Sequence, residues 1–153
     1  INSYTNVPSQ AQPNTYFIVA AGSTDTTENV LQDRGDGWGL DYENSRQNIT
    51  TTTQWNIDGD YTGVTTNISD GAFFYLTTMW DGSSGQFNIS GVDKGGLNTS
   101  TRKMSGFTIG GWSSGANTQT WDGWICEYLM YNKGCTSGEI TIVEDYLSTK
   151  WGL

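Results

Sequence analysis

The sequence predicts an all-β fold: a jelly-roll β-sandwich of two antiparallel sheets with one short C-terminal helix. Three observations lead there. The 153 residues include 20 Gly and much Thr, Ser and Asn, a composition suited to short strands and tight turns. Runs rich in aromatic and β-favouring side chains recur between Gly- and Asp-containing turns. Helical spacing appears only near the end, behind a capping signature. The chain reads as a single domain, 1–153, able to bury about 70% of the surface its unfolded form exposes. Hydrophobic content is 35%, but 7 Trp, 8 Tyr and 5 Phe offset this because each ring buries a large area.

Residues 1–12 are polar with one proline and read as an edge strand or a linker. Residues 14–22 are a strand whose unbroken apolar run implies burial on both faces. A loop at 22–27 leads to a short strand, Asn29–Asp33, and a turn, Arg34-Gly35-Asp36-Gly37. Trp38, Leu40 and Tyr42 alternate with small or acidic residues, giving one aromatic face. Ile49–Trp55 reads as one Thr-rich strand, and Asp58-Gly59-Asp60 as a turn. Ala72–Trp80 is the strongest strand signal, closed by Asp81–Gly85 into a hairpin onto Phe87 and Ile89. Residues 91–105 are a polar loop. From Gly106 the chain reads as strand, polar loop, and a strand over Ile125–Tyr131 ended by Asn132-Lys133-Gly134. Thr136 and Glu139 fit a capping box, and Ile140, Val143, Leu147 and Trp151 follow at helical spacing. Trp80, Trp124 and Trp151 are assigned to core or helix packing.

Three pieces carry a family resemblance. Phe107, Ile109 and Gly110, then Gly123, Ile125, Glu127, Tyr131 and Asn132, then Glu139, Tyr146, Leu147 and Lys150-Trp151-Gly152-Leu153 form one pattern. Trp80-Asp81-Gly82 with Phe87–Gly91 is a second, and Thr15–Ala21 a third. Together, over roughly residues 13–153, they resemble laminin-G-like domains of the concanavalin A-like lectin/glucanase superfamily. The resemblance implies the sandwich fold and a lectin-like module; it does not single out an activity. In that pattern the counterpart of Glu127 accepts hydrogen bonds from a nearby loop or helix end.

Charge and chemistry narrow the function. A net charge of −9, with no basic cluster longer than Arg102-Lys103, disfavours nucleic acid and anionic membrane surfaces. The acidic, Lys-poor composition points outside a cell or to a virion surface. The sequence reads without a transmembrane run, and no signal peptide is expected in it. The chain begins with Ile, and is read as a processed product or part of a longer protein. The absence of histidine removes Ser-His-Asp and Cys-His catalysis and any His-based zinc site. Glucanases of the superfamily carry paired carboxylates on one strand, and no such string occurs here. Asp41 and Glu43, and the solitary Glu127, come nearest. Glu127, aligned with Ile125 and Leu129, is expected half-buried with a raised pKa and a structural role. Catalytic residues are therefore assigned to none. Cys126 and Cys135 read as two buried free thiols, a bridge being barely within reach.

Carbohydrate recognition needs exposed aromatic faces with amides and carboxylates beside them. Trp112 and Trp121, bracketing a polar loop, are the aromatics expected to be exposed, with Asn117 and Asp122 beside them; Trp38 and Trp55 are further candidates. Asn56, Asp58 and Asp60 at alternate positions suggest a calcium site, though their spacing is not that of an EF-hand and turn chemistry is the more common explanation of such residues. Arg34-Gly35-Asp36 and the glycosylation triplets at Asn48, Asn67, Asn88 and Asn98 are expected to be incidental. The leading expectation is a non-catalytic module recognising a glycan or host surface in an extracellular or virion-surface protein. The alternatives are a structural domain contacting other subunits of an assembly, and last a glycan hydrolase or lyase.

Overall fold

A computed structural model describes residues 13–22, 29–34, 45–49, 53–57, 60–65, 71–81, 85–95, 107–110, 121 and 123–153; over 29–65 and 107–108 it describes the backbone. The chain is mostly β with one C-terminal helix. Its strands are β1 (Asn14–Gly22), β2 (Asn29–Arg34), β3 (Ser45–Ile49), β4 (Thr53–Ile57), β5 (Asp60–Thr65), β6 (Phe73–Trp80), β7 (Gly85–Ile89), β8 (Val92–Asp93), β9 (Phe107–Ile109) and β10 (Gly123–Tyr131), followed by helix α1 (Ser137–Trp151). They form two five-stranded sheets, in the orders β10-β1-β6-β7-β8 and β5-β4-β3-β2-β9. Every pairing is antiparallel.

The expected bounds of β1 hold, and all nine of its residues are buried. Alternation sends Tyr16, Ile18 and Ala20 to one face, where they pack with Phe74, Leu76 and Phe87. Phe17 and Val19 point to the other face, against Ile140 and Leu147 of α1. The central strand thus feeds two cores at once, which is why its apolar run is continuous. Each fully buried Leu or Ile contributes about 1.5–3 kcal/mol relative to exposure.

The expected single strand over 49–55 is corrected. Ile49 pairs with Thr53 across a hairpin, so the Thr run separates β3 from β4. Ile57 pairs with Asp60, and β5, which Asp60 opens, was not anticipated; Asp58 and Gly59 of the expected turn lie outside the described residues. The strand expected at Trp38–Tyr42 lies outside the described residues.

Both halves of the capping box form. The Glu139 amide donates to Thr136 Oγ1 at 3.3 Å, and the Thr136 amide to Glu139 Oε2 at 3.0 Å. Gly152, at φ 71°, ends the helix in the left-handed conformation that favours glycine. Ahead of the helix, Thr15 Oγ1 donates to the Lys133 carbonyl and accepts from the Cys135 amide, fixing the turn to β1. Cys126 and Cys135 are both free thiols, as expected, but only Cys135 is buried; Cys126 is half-buried.

Candidate functional site

The outer face of the β10-β1-β6 sheet carries α1 and most of the described polar chemistry. Its geometry begins with a bulge. Val19 pairs with Glu127 but Ala20 with Ile125, so Cys126 is an extra residue in β10. Ile125 therefore packs on the inner cluster while Glu127 and Leu129 face the helix. The expectation that Glu127 shares a face with Ile125 is corrected by this bulge.

Glu127 is held from three sides. Trp151 Nε1 donates to its Oε2 at 2.7 Å, Tyr146 Oη to its Oε1 at 3.1 Å, and Lys150 Nζ lies 3.0 Å from both oxygens. Lys150 also donates to the Tyr146 hydroxyl at 2.8 Å and sits 5.2 Å and 5.6 Å from the Tyr146 and Trp151 ring centres. Burial pushes the Glu127 carboxyl up, but the hydrogen bonds from Trp151, Lys150 and Tyr146, with the Lys150 charge, outweigh it and hold the group below its ordinary value. The expected raised pKa is thus corrected, because the helix end supplies donors. The structural role expected for Glu127 is the one its partners give it.

A second carboxylate was missed. Glu144 is 8% exposed and accepts from Thr77 Oγ1 at 2.6 Å and Asn88 Nδ2 at 2.9 Å. Gln86 Nε2 donates in turn to Asn88 Oδ1 at 3.1 Å. Burial, followed by the charges of Glu144 and Asp145, pushes the Tyr75 hydroxyl up. Glu144 lies four residues after Ile140, on the buried stripe, which is the signal that marks it. Asn88 is 4% exposed and committed to this network, so its glycosylation triplet is incidental. A third feature is a shallow cleft of about 170 Å³ between Tyr131, Cys135, Ile142 and Val143, rimmed by the Lys133–Glu139 ion pair.

Of the sequence-predicted site residues, Trp121 is the one whose side chain is described. Trp121 is 8% exposed, edge-on to Phe74 at 6.2 Å between ring centres, with Nε1 donating to the Ala21 carbonyl at 3.2 Å. Its expected exposure is corrected: the ring lies over Gly22, where any Cβ would come within 2.5 Å of it. Trp112, Asn117, Asp122, Trp38 and Asp58 lie outside the described residues. Trp55 and Asn56 stand in β4 and Asp60 opens β5, with backbone alone described. No group of three or more acidic or Cys side chains suited to a metal occurs among the described residues.

One tryptophan assignment changes. Trp80 is core and Trp151 packs the helix end against Glu127, as expected, but Trp124 is 71% exposed. Its pairing with Ala21 puts Trp124 on the outer face.

No protein-family model matches the chain, and no curated protein matches it in sequence. Solved structures are similar to it in fold. The heptameric SAP-like pentraxin of Limulus polyphemus matches 92% of this chain and 72% of its own, with TM-score 0.67 and 10% identity. Domain 4 of AbnA, an extracellular GH43 arabinanase of Geobacillus stearothermophilus seen with arabinotriose, matches over 91% and 71%, with TM-score 0.66 and 16% identity. Trypanosoma rangeli sialidase in complex with sialic acid matches 90% of this chain at TM-score 0.70 and 15% identity, yet this chain spans only 23% of the sialidase. At these identities the likeness is one of fold, consistent with a jelly roll of the concanavalin A-like kind.

Proposed function

We propose that this chain is a carbohydrate-recognition domain that binds a glycan without transforming it. The observation that carries the reading is the fold shared over 91% of the chain with domain 4 of the arabinanase, a domain seen with arabinotriose. The similarity to only 23% of the sialidase chain fits a module appended to a larger protein. An extracellular or virion-surface setting, with a glycan or host surface as partner, belongs to the same reading. Trp112, Asn117, Asp122, Trp38 and Trp55 remain its proposed contacts, and Asn56, Asp58 and Asp60 its proposed calcium ligands.

The two carboxylates described on the helix-bearing face favour binding over turnover. Hydrolysis needs one carboxylate to donate a proton and a second to attack or activate water, ~5–9.5 Å apart across the bond. Glu127 is held below its ordinary pKa by three donors, the wrong direction for a general acid at neutral pH. Glu144 lies buried beneath the helix on Thr77 and Asn88. A glycan array probed with the intact chain tests the reading: binding to a defined set of oligosaccharides supports it, and no binding to any contradicts it.

A second reading, a contact face within an assembly, is favoured by Ile142, 69% exposed beside the Tyr131 cleft. Self-association in sedimentation that Ile142→Glu abolishes supports that reading, and a monomer at all concentrations contradicts self-assembly through this face.

A further inference from the structure

Each sheet ends in two edge strands, and the four edges differ. In the order β10-β1-β6-β7-β8 the edges are β10 and β8; in the order β5-β4-β3-β2-β9 they are β5 and β9. β8 has 2 residues and β9 has 3, too short to template a further strand. β5 has 6 residues, with Asp60 at its start and Gly63 within it. A charge blunts an edge and a glycine weakens a strand. β10 is unlike them: 9 residues, GWICEYLMY, with Glu127 as its one charged side chain.

The flank of β10 meets water. β10 and β1 both carry apolar side chains with a hydrophobic cluster on each face. All of β1 is buried, whereas every residue from Ile125 to Met130 is only half-buried. The difference lies at the flank. β1 runs between two strands, and among the described strands β10 pairs with β1 alone. The bulge at Cys126 interrupts this edge but leaves Glu127–Tyr131 in unbroken register with Val19–Thr15. That segment is as long as a common β-strand.

Pattern and charge choose the occupant. A strand added here must present apolar side chains to both faces, because Tyr128 and Met130 pack on one cluster and Leu129 on the other. β10 itself has that pattern, and a strand paired antiparallel with its own copy closes on a two-fold axis. With a net charge of −9, two copies repel unless they meet where charge is balanced. Here it is balanced: the Glu127 side chain is 13% exposed and lies 3.0 Å from Lys150 of the same chain.

We propose that two copies of this chain associate edge to edge through Glu127–Tyr131 of β10, joining their helix-bearing sheets into one. Antiparallel pairing of the whole segment sets Leu129 opposite Leu129 of the second copy, Tyr128 opposite its Met130, and Glu127 opposite its Tyr131. No like charges face one another in this register. A single strand pair buries less than the ~800 Å² per partner of a standard interface, so the association is reversible and concentration-dependent. The pairing rests on the assembly reading above and names its partner and its contact; glycan binding does not enter it.

The test is sedimentation velocity of the intact chain over a concentration series, with amide hydrogen exchange followed by NMR on the same samples. The pairing predicts a monomer–dimer equilibrium, with exchange of the β10 amides slowing as the dimer fills. Tyr131→Glu sets an acid opposite Glu127 of the second copy and should weaken the dimer at least tenfold. Tyr131→Lys sets a base there and should retain it. Both variants lose the edge contact of the Tyr131 ring with Phe17, so a folding defect would affect the two alike. Equal loss of the dimer in both, with urea midpoints unchanged, overturns the register. Association that leaves β10 exchange unaltered, or that Ile142→Glu abolishes and Tyr131→Glu does not, overturns the edge contact and leaves the assembly reading standing. Protection of the β10 amides at every dilution places a segment of the same chain on the edge and overturns the pairing. A monomer at all concentrations overturns the pairing and self-assembly together.

Discussion

The Trp151 indole donates to the Glu127 carboxylate across 2.7 Å, joining the last turn of α1 to a strand residue 24 positions earlier. With Tyr146 and Lys150 on the same carboxylate, this is the lock that seats the helix end on the sheet edge. Glu127→Ala should lower stability by about 1–2 kcal/mol, since one partner is largely buried and the other half-exposed. Urea denaturation of the variant measures it.

The acid response follows from the direction of two shifts. Glu127 is depressed by donors that outweigh its burial, and Glu139 falls from 4.5 to about 2, chiefly through its hydrogen bond from Lys133. A depressed folded-state pKa stabilises the fold above the unfolded value, and that gain is lost as pH falls through the folded one. Thermal midpoints should therefore drop as pH falls from about 4.5 toward about 2. Glu127→Gln and Glu139→Gln should each flatten that drop; a parent-like slope in both variants would refute the assignment.

Glu144 joins α1 to β6 and β7 through Thr77 and Asn88. Glu144→Ala leaves a buried hydroxyl and a buried amide without their acceptor, and should cost about 3 kcal/mol by urea denaturation. Thr77→Val should cost less, because Asn88 still reaches the carboxylate.

Gly123 sits at φ 155°, and a Cβ there would meet the Ala21 carbonyl oxygen at 2.0 Å. Backbone cannot swing aside as a flexible side chain would. Gly123→Ala should therefore cost about 3 kcal/mol or more, read as a lower unfolding midpoint or loss of soluble protein.

Thr78 has the opposite character. Its Oγ1 is buried without a hydrogen-bond partner among the described residues. Thr78→Val keeps the shape and removes the uncompensated hydroxyl, so stability should stay level or rise by about 1 kcal/mol in the same assay.

Where local chemistry and tertiary context agreed, the sequence was readable. The run at 14–22 announced a strand buried on both faces, and Thr136 with Glu139 announced the helix start. The hairpin between β3 and β4 was hidden because Thr favours strands throughout and no Gly or Pro marks the turn. The side-chain placements depended on features that leave no composition signal. One extra residue at Cys126 separates the directions of Ile125 and Glu127. The same alternation turns Trp124 outward, while Gly22 leaves room for Trp121 to turn inward. Glycan recognition was an expectation drawn from resemblance, and a shared fold does not locate its contacts.

The central claim is binding without turnover. Its most direct measurement is prolonged incubation of the intact chain with the oligosaccharide it binds tightest, followed by chromatography of the recovered sugar. The account predicts saturable binding and ligand returned at full length. Shortened or eliminated products, abolished by Glu127→Gln, would contradict it.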